Sequence, residues 1–183
     1  MKMIKLVLSK YWRIAMLKKE IVELLNEQIN KELFSAYLYL EIANYYGDEG
    51  LEGYENWFKI QALEEEDHAM LIRQYLLNNG HAIKLKAIDD PTRTFNNYKE
   101  PLEAALEHER YVTDSIHTIY SLAAELKDYR TMQFLDWFIA EQGEEETNAE
   151  ENIRNYQLFE KNLYSLNKEL KKREHTPPSF QLD

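Results

Sequence analysis

The sequence predicts an all-α protein: a four-helix bundle with one long crossover between the second and third helices, plus a short fifth helix. Three observations predict it. Glycine and proline are scarce, 5 and 4 in 183 residues, while Leu, Glu, Ala and Lys abound, a composition that favours helix throughout. Long segments repeat apolar residues at the helical period. The intervals between those segments run short, long, short, and interval length decides which helices are antiparallel neighbours.

The first segment runs over about 17–46 and stops at Gly47, Asp48, Glu49 and Gly50, with Gly53 just beyond. The second covers about 54–79 and ends at Asn78, Asn79 and Gly80. The third, about 101–127, opens on Pro101, a residue suited to a helix's first turn, after a break at Asp90 and Pro91. The fourth follows Asp128 at once and reaches about 159. A shorter segment spans about 162–174, and Pro177 and Pro178 then open a loose tail. Residues 81–100 carry no helical period. Fully extended they reach roughly 60 Å, enough to travel the length of a helix. Helices two and three can therefore run parallel, which distinguishes this bundle from a plain up-down one.

Size and charge narrow the function. The chain suits one domain, at about 16–174, with an N-terminal extension at 1–15 and a C-terminal tail at 175–183. The extension, MKMIKLVLSKYWRIA, is a poor signal peptide: Lys5 interrupts its apolar run and no small-residue cleavage site follows. It reads as an add-on from an upstream start, and the expected compartment is the cytoplasm. A net charge of −11 argues against a nucleic-acid surface and fits attraction of cations. No run of about 20 apolar residues exists to span a membrane. Without cysteine there is no disulfide, thiolate metal site or thiol chemistry.

The informative stretch is QALEEEDHAM (61–70), a charge run inside an apolar helix. At about 100° per residue, Phe58, Ala62, Ala69, Ile72 and Leu76 all lie within about 60° of Glu65. Glu65 thus sits mid-stripe, His68 follows on the next turn, and Glu64 marks the stripe's edge. Glu66 and Asp67 point to solvent. Every long helix repeats the pattern. Glu32 sits among Leu25, Ile29, Ala36, Tyr39 and Ala43; Glu109 among Leu102, Leu106, Val112, Ile116 and Tyr120. Gln142 and Glu145 share a stripe with Leu135, Phe138 and Ala149, with Glu141 adjacent. A buried unpaired carboxylate carries a penalty of several kcal/mol, and four facing one another also repel. No Lys or Arg lies on these stripes beside the acids. Two multivalent cations would compensate all four, as in bundles that take a Glu from each of two helices and Glu-x-x-His from others. Ligand type leaves iron, manganese and zinc open.

These residues resemble the bacterial non-haem ferritins, from about 16 to 174. The resemblance rests on LNEQINKELFSAYLYL (25–40), ALEEEDHAM (62–70), LEHERYV (106–112) and FLDWFIAEQGEEE (134–146), with NLYSLNKEL (162–170) similar to the short fifth helix of such proteins. It implies the ferritin-like fold and a ferroxidase centre. Glu32, Glu65 and His68 match the first iron's ligands, Glu65 bridging; Glu109 and Glu145 match the second's, with Gln142 close by. Glu64, Glu141, Glu144 and Glu145 match a looser third iron site, and Tyr39 matches the tyrosine beside the pair, with a redox or hydrogen-bonding role. Rubrerythrins and bacterioferritins place a second Glu-x-x-His in the fourth helix, where this chain has Glu141-Gln142-Gly143-Glu144-Glu145. An all-oxygen second position holds iron more weakly, which suits storage over cofactor chemistry. Gly143 in mid-helix is a departure that costs about 1 kcal/mol against Ala and permits a local bend.

The expected function is iron storage: Fe(II) enters a shell of 24 subunits, is oxidised by O2 or H2O2 at the paired site, and leaves as Fe(III) mineral. The alternative is a small di-iron oxidase or peroxidase without storage. A DNA-protecting mini-ferritin is disfavoured by the charge and by ligands that lie within one chain. A metal-free structural bundle requires every inward acid to be a spectator.

Overall fold

The computed structural model describes residues 17–180 and 182, so the extension 1–15 lies outside the described residues. Among the described residues all regular structure is helical. Four long helices, α1 (Lys19–Asp48), α2 (Glu52–Asn78), α3 (Glu100–Glu125) and α4 (Tyr129–Phe159), are followed by a 3₁₀ turn and a short α5 (Leu163–Leu170). The long helices start and stop within two residues of the ranges read from the sequence. No helix among the described residues is long and apolar enough to cross a membrane.

The breakers act as their chemistry requires. At the end of α1, Gly50 takes φ 73°, and its N–H donates to Gly47 O while Leu51 N–H donates to Tyr46 O, a left-handed cap that reverses the chain. Gly80 does the same after α2, at φ 82°. After α3 the left-handed position falls to Lys127, at φ 56°, the one non-glycine in that region among the described residues. Asp128 then caps α4, accepting from Thr131 N–H at 3.1 Å. Helix α4 runs unbroken through Gly143, where an added Cβ would meet nothing within 4 Å.

The crossover is held by α1. Asn26 and Asn30, one turn apart, accept from the backbone N–H groups of Lys84 and Lys86. Asn30 also donates to Ala87 O at 3.0 Å, and at the other end Tyr46 O–H donates to Tyr98 O at 2.6 Å. The segment therefore begins beside the start of α1 and finishes beside its end, so α3 starts where α2 starts and the two run parallel.

The fifth helix is shorter than the sequence suggests: regular structure stops at Leu170, not near 174. Its seat is the start of α2, where Asn167 Oδ1 accepts from Gly53 N–H at 2.7 Å. A Cβ on Gly53 would collide with the backbone carbonyl of Asn167. Replacing Gly53 by alanine is therefore expected to push α5 off the bundle and to destabilise the chain by about 1–3 kcal/mol, as overpacking does. Denaturant unfolding and protease sensitivity of the last dozen or so residues measure both effects.

The core is split. One apolar cluster gathers Leu25, Ile29, Ala69, Ile72, Val112, Ile116, Leu135 and Phe138; the other gathers Tyr39, Ile42, Phe58, Ala62, Leu102, Ala105 and Tyr156. In every long helix the changeover falls at the acids: between Ile29 and Leu38, between Ala62 and Ala69, between Ala105 and Val112, and between Phe138 and Tyr156. A polar layer crosses the bundle at mid-height.

Candidate metal centre

That layer is built from α1 (Glu32), α2 (Glu65, His68), α3 (Glu109) and α4 (Gln142, Glu145). None of the six is more than 5% exposed. One oxygen each from Glu32 and Glu65 and one ring nitrogen of His68 lie within 4.8 Å of one another. His68 Nδ1 is 3.4 Å from Glu65 Oε2. Three atoms of this group, Glu32 Oε2, Glu65 Oε2 and His68 Nδ1, are buried without a hydrogen-bond partner. Buried polar atoms are nearly always satisfied. Orphan atoms on three residues that already bring ligand atoms within 4.8 Å of one another, two carboxyl oxygens and an imidazole nitrogen, are the donor set of a metal ion, so the residues fit iron.

The other half of the layer is held by protein donors. Tyr39 O–H donates to Glu109 Oε1, and Gln142 Nε2 donates to Glu109 Oε2 at 3.2 Å. Gln61 Nε2 donates to Glu145 Oε2 at 2.8 Å. Across the bundle Gln28 Nε2 donates to Glu32 Oε1 at 2.9 Å, Ser115 O–H donates to Gln28 Oε1, and Lys31 Nζ donates to Ser115 Oγ. A cavity of about 20 Å³ adjoins Glu109 and Glu145, walled by Tyr39, Phe58 and Gln61 among others. That is room for about one water-sized molecule.

Burial dominates the electrostatics. It pushes Glu109 up to about 7 despite hydrogen bonds from Tyr39 and Gln142 that act the other way. It pushes Glu145 up to about 8, with the charge of Glu109 adding to the rise. Glu65 is held well above the carboxylate range by burial and then by Glu109, Glu32 and Glu145. The Tyr39 phenol is kept protonated by its burial and then by Glu109, Glu65 and Glu145.

Of the four acids expected at the looser third site, Glu64, Glu141, Glu144 and Glu145, only Glu145 lies in the buried layer. Glu141 is half-buried, with Oε1 3.9 Å from His68 Nε2. Glu64 is paired with Arg173, at 2.6 Å from Nη2, and Glu144 is exposed. His108, on α3 beside Glu109, turns away from the layer: its Nε2 meets Ser35 Oγ at 2.7 Å, and burial and then Arg93 lower it to about 4.

Sequence reasoning missed Gln28 and Gln61. The signal was present, since each stands four residues before an inward glutamate, Glu32 and Glu65, on the same helix face.

Residues 22–159 match the family model described as Ferritin-like domain. The chain is 39% identical over 131 residues to a bacterial non-heme ferritin of Campylobacter jejuni, covering 72% of this chain and 78% of that one. A bacterial non-heme ferritin of Staphylococcus aureus is 37% identical over 138 residues, 75% of this chain and 83% of that one. Among solved structures, the open pore ferritin from the archaeon Archaeoglobus fulgidus superposes with a TM-score of 0.85 at 38% identity, over 88% of this chain and all of the other. A closed form of that ferritin, engineered by mutagenesis, gives 0.86 with the same coverage and identity. With its crossover bundle, its split core and a family match over most of its length, this chain belongs to the ferritin-like domain family.

Proposed function

We propose that this chain stores iron: it takes up Fe(II), oxidises it at a paired site inside each subunit, and deposits Fe(III) as mineral inside a shell of identical subunits, 24 by resemblance, in the cytoplasm. The observation that carries the reading is the polar layer, with four acids and a histidine meeting at mid-bundle and three of their atoms unpartnered. Family membership supports storage over any other use of such a layer.

Each residue has a part. Glu32, Glu65 and His68 form the ready half, since they already bring ligand atoms within 4.8 Å of one another. Glu109 and Glu145 form the half that must be unlocked, because Tyr39, Gln142 and Gln61 occupy their oxygens. A second ion binds there by displacing those donors and the protons that burial retains on the acids. Glu65, on the face between the two halves, is the natural bridge. Tyr39 positions Glu109 through its hydroxyl. The small cavity beside Glu109 and Glu145 leaves space next to this half of the layer, and dioxygen or peroxide is the oxidant that accepts the electrons from Fe(II). No histidine stands opposite His68 on α4, so the second position is all oxygen and holds its ion loosely enough to release it.

Aerobic addition of several hundred Fe(II) per shell tests the reading. The expected result is a soluble particle with an electron-dense core. A small species that retains about two ions per chain and forms no core would move the assignment to a di-iron oxidase.

A further inference from the structure

The tail is not loose. After α5 the chain turns back across α2 and α4 and lies over the edge of the metal centre. Arg173 Nη2 meets Glu64 Oε2 at 2.6 Å, with both side chains only 19% exposed. Its guanidinium stacks over the Trp57 ring at 4.0 Å, and Nη1 donates to Trp57 O at 3.2 Å. The backbone is pinned as well, since Asn56 Nδ2 donates to Arg173 O at 3.0 Å. Two residues on, His175 Nε2 meets Asp67 Oδ2 at 2.9 Å. The segment then reaches α4, where Phe180 stacks on Trp137 at 6.0 Å. Trp137 in turn sets its ring edge against His68.

We propose that Arg173 is an internal cation that occupies the acid of the third metal position, so that an ion reaches Glu64 only by displacing the guanidinium. The inference rests on the paired-site reading above and concerns the position beside it. Arginine suits the task. It keeps its charge at any physiological pH, and its planar fork binds a carboxylate while its face stacks on an indole. Glu64 alone cannot hold an ion against that pairing. Glu141, half-buried with its Oε1 3.9 Å from His68 Nε2, supplies the second acid, and Glu144 must come in from solvent. The third position is therefore weak by construction, and it fills after the pair rather than with it. Movement of the tail strap and passage of an ion past Glu64 become one event.

Zn(II), which does not change oxidation state, is the probe. Metal-free full-length protein is titrated by calorimetry as wild type, Arg173→Gln, Arg173→Lys and the double variant Arg173→Gln with Glu64→Gln. The first two ions per subunit serve as the internal reference. The expected result is a third Zn(II) bound about tenfold more tightly in Arg173→Gln, the scale of a lost charge-assisted hydrogen bond. Arg173→Lys, which keeps the charge but loses the fork and the stacked face, should give an affinity between the two, and the double variant should lose the gain. A third affinity unchanged by Arg173→Gln, or a gain that survives removal of Glu64, overturns the proposal. Absence of the first two ions from wild type would instead overturn the paired site itself.

Discussion

Replacing Glu65 by glutamine is expected to lower the rate of Fe(II) oxidation by at least about 100-fold while making the metal-free subunit more stable. The two effects have one origin. Glu65 is 1% exposed and its Oε2 has no hydrogen-bond partner; burial and the charges of Glu109, Glu32 and Glu145 all oppose its ionisation. In the metal-free protein that carboxyl is a liability, because burial makes it keep a proton that the unfolded chain releases, and a neutral amide of the same volume carries no such cost. The gain should be on the order of 1–3 kcal/mol, since each tenfold change in proton affinity is worth about 1.4 kcal/mol. With iron the sign reverses. The layer loses the acid we propose as the bridge between the two ions, and even residues that only support metal ligands are worth about 10–100-fold. Stopped-flow absorbance of Fe(III) formation and a denaturant midpoint on the metal-free protein read the two effects. If the inward acids were spectators, the oxidation rate would not change.

Most of the fold was legible because its determinants are local. Gly50, Gly80 and Asp128 stop or start helices through their own backbone and cap chemistry, so the ranges agree within two residues. The crossover was legible from length, although its anchors, Asn26 and Asn30, were not singled out. The acid layer was legible because a helical wheel ranks residues within one helix, and an acid among apolar neighbours on a wheel has few cheap explanations. What a wheel omits is which residue of another segment covers a given position. The sequence-level statement that no basic residue lies beside the acids is true on each stripe, and it holds for Glu32, Glu65 and Glu109. It fails for Glu64, because Arg173 arrives from beyond the fifth helix, more than 100 positions along the chain. The same limit hid the pairing of Gln61 with Glu145, which lies on another helix. Glu144 illustrates the converse: spacing puts it near the site, and the structure leaves it in solvent.

Raising the pH from about 4.5 to about 8 is expected to destabilise the metal-free protein and to leave the metal-loaded protein largely unaffected. The sign follows from the direction in which burial moves the two acids. Glu109 rises from an ordinary 4.5 to about 7 and Glu145 from 4.5 to about 8, both mainly through burial. Between those values the folded chain retains protons that the unfolded chain has already released. Stability therefore falls as pH rises whenever the folded state holds more protons. The contribution is fully present below about 4.5 and is lost as the pH passes through the folded values. Each tenfold change in proton affinity is worth roughly 1.4 kcal/mol, so the two acids together account for several kcal/mol. This runs opposite to a protein whose carboxylates are stabilised by salt bridges, where acid removes stability. Metal changes the balance because each ligand must bind as its ionised form, so the ion takes over the role the proton had. Zn(II) added near pH 6.5 in weak buffer should accordingly release protons from the layer, and the number released should fall toward zero near pH 9. Denaturant midpoints of metal-free protein across this range, paired with proton release on metal addition, test the claim twice. A metal-free midpoint that rises between about pH 6.5 and 8, above the window in which the neutral burial of His108 itself adds stability, would mean that Glu109 and Glu145 are already ionised and compensated by the protein, and the need for cations in the layer would disappear with it.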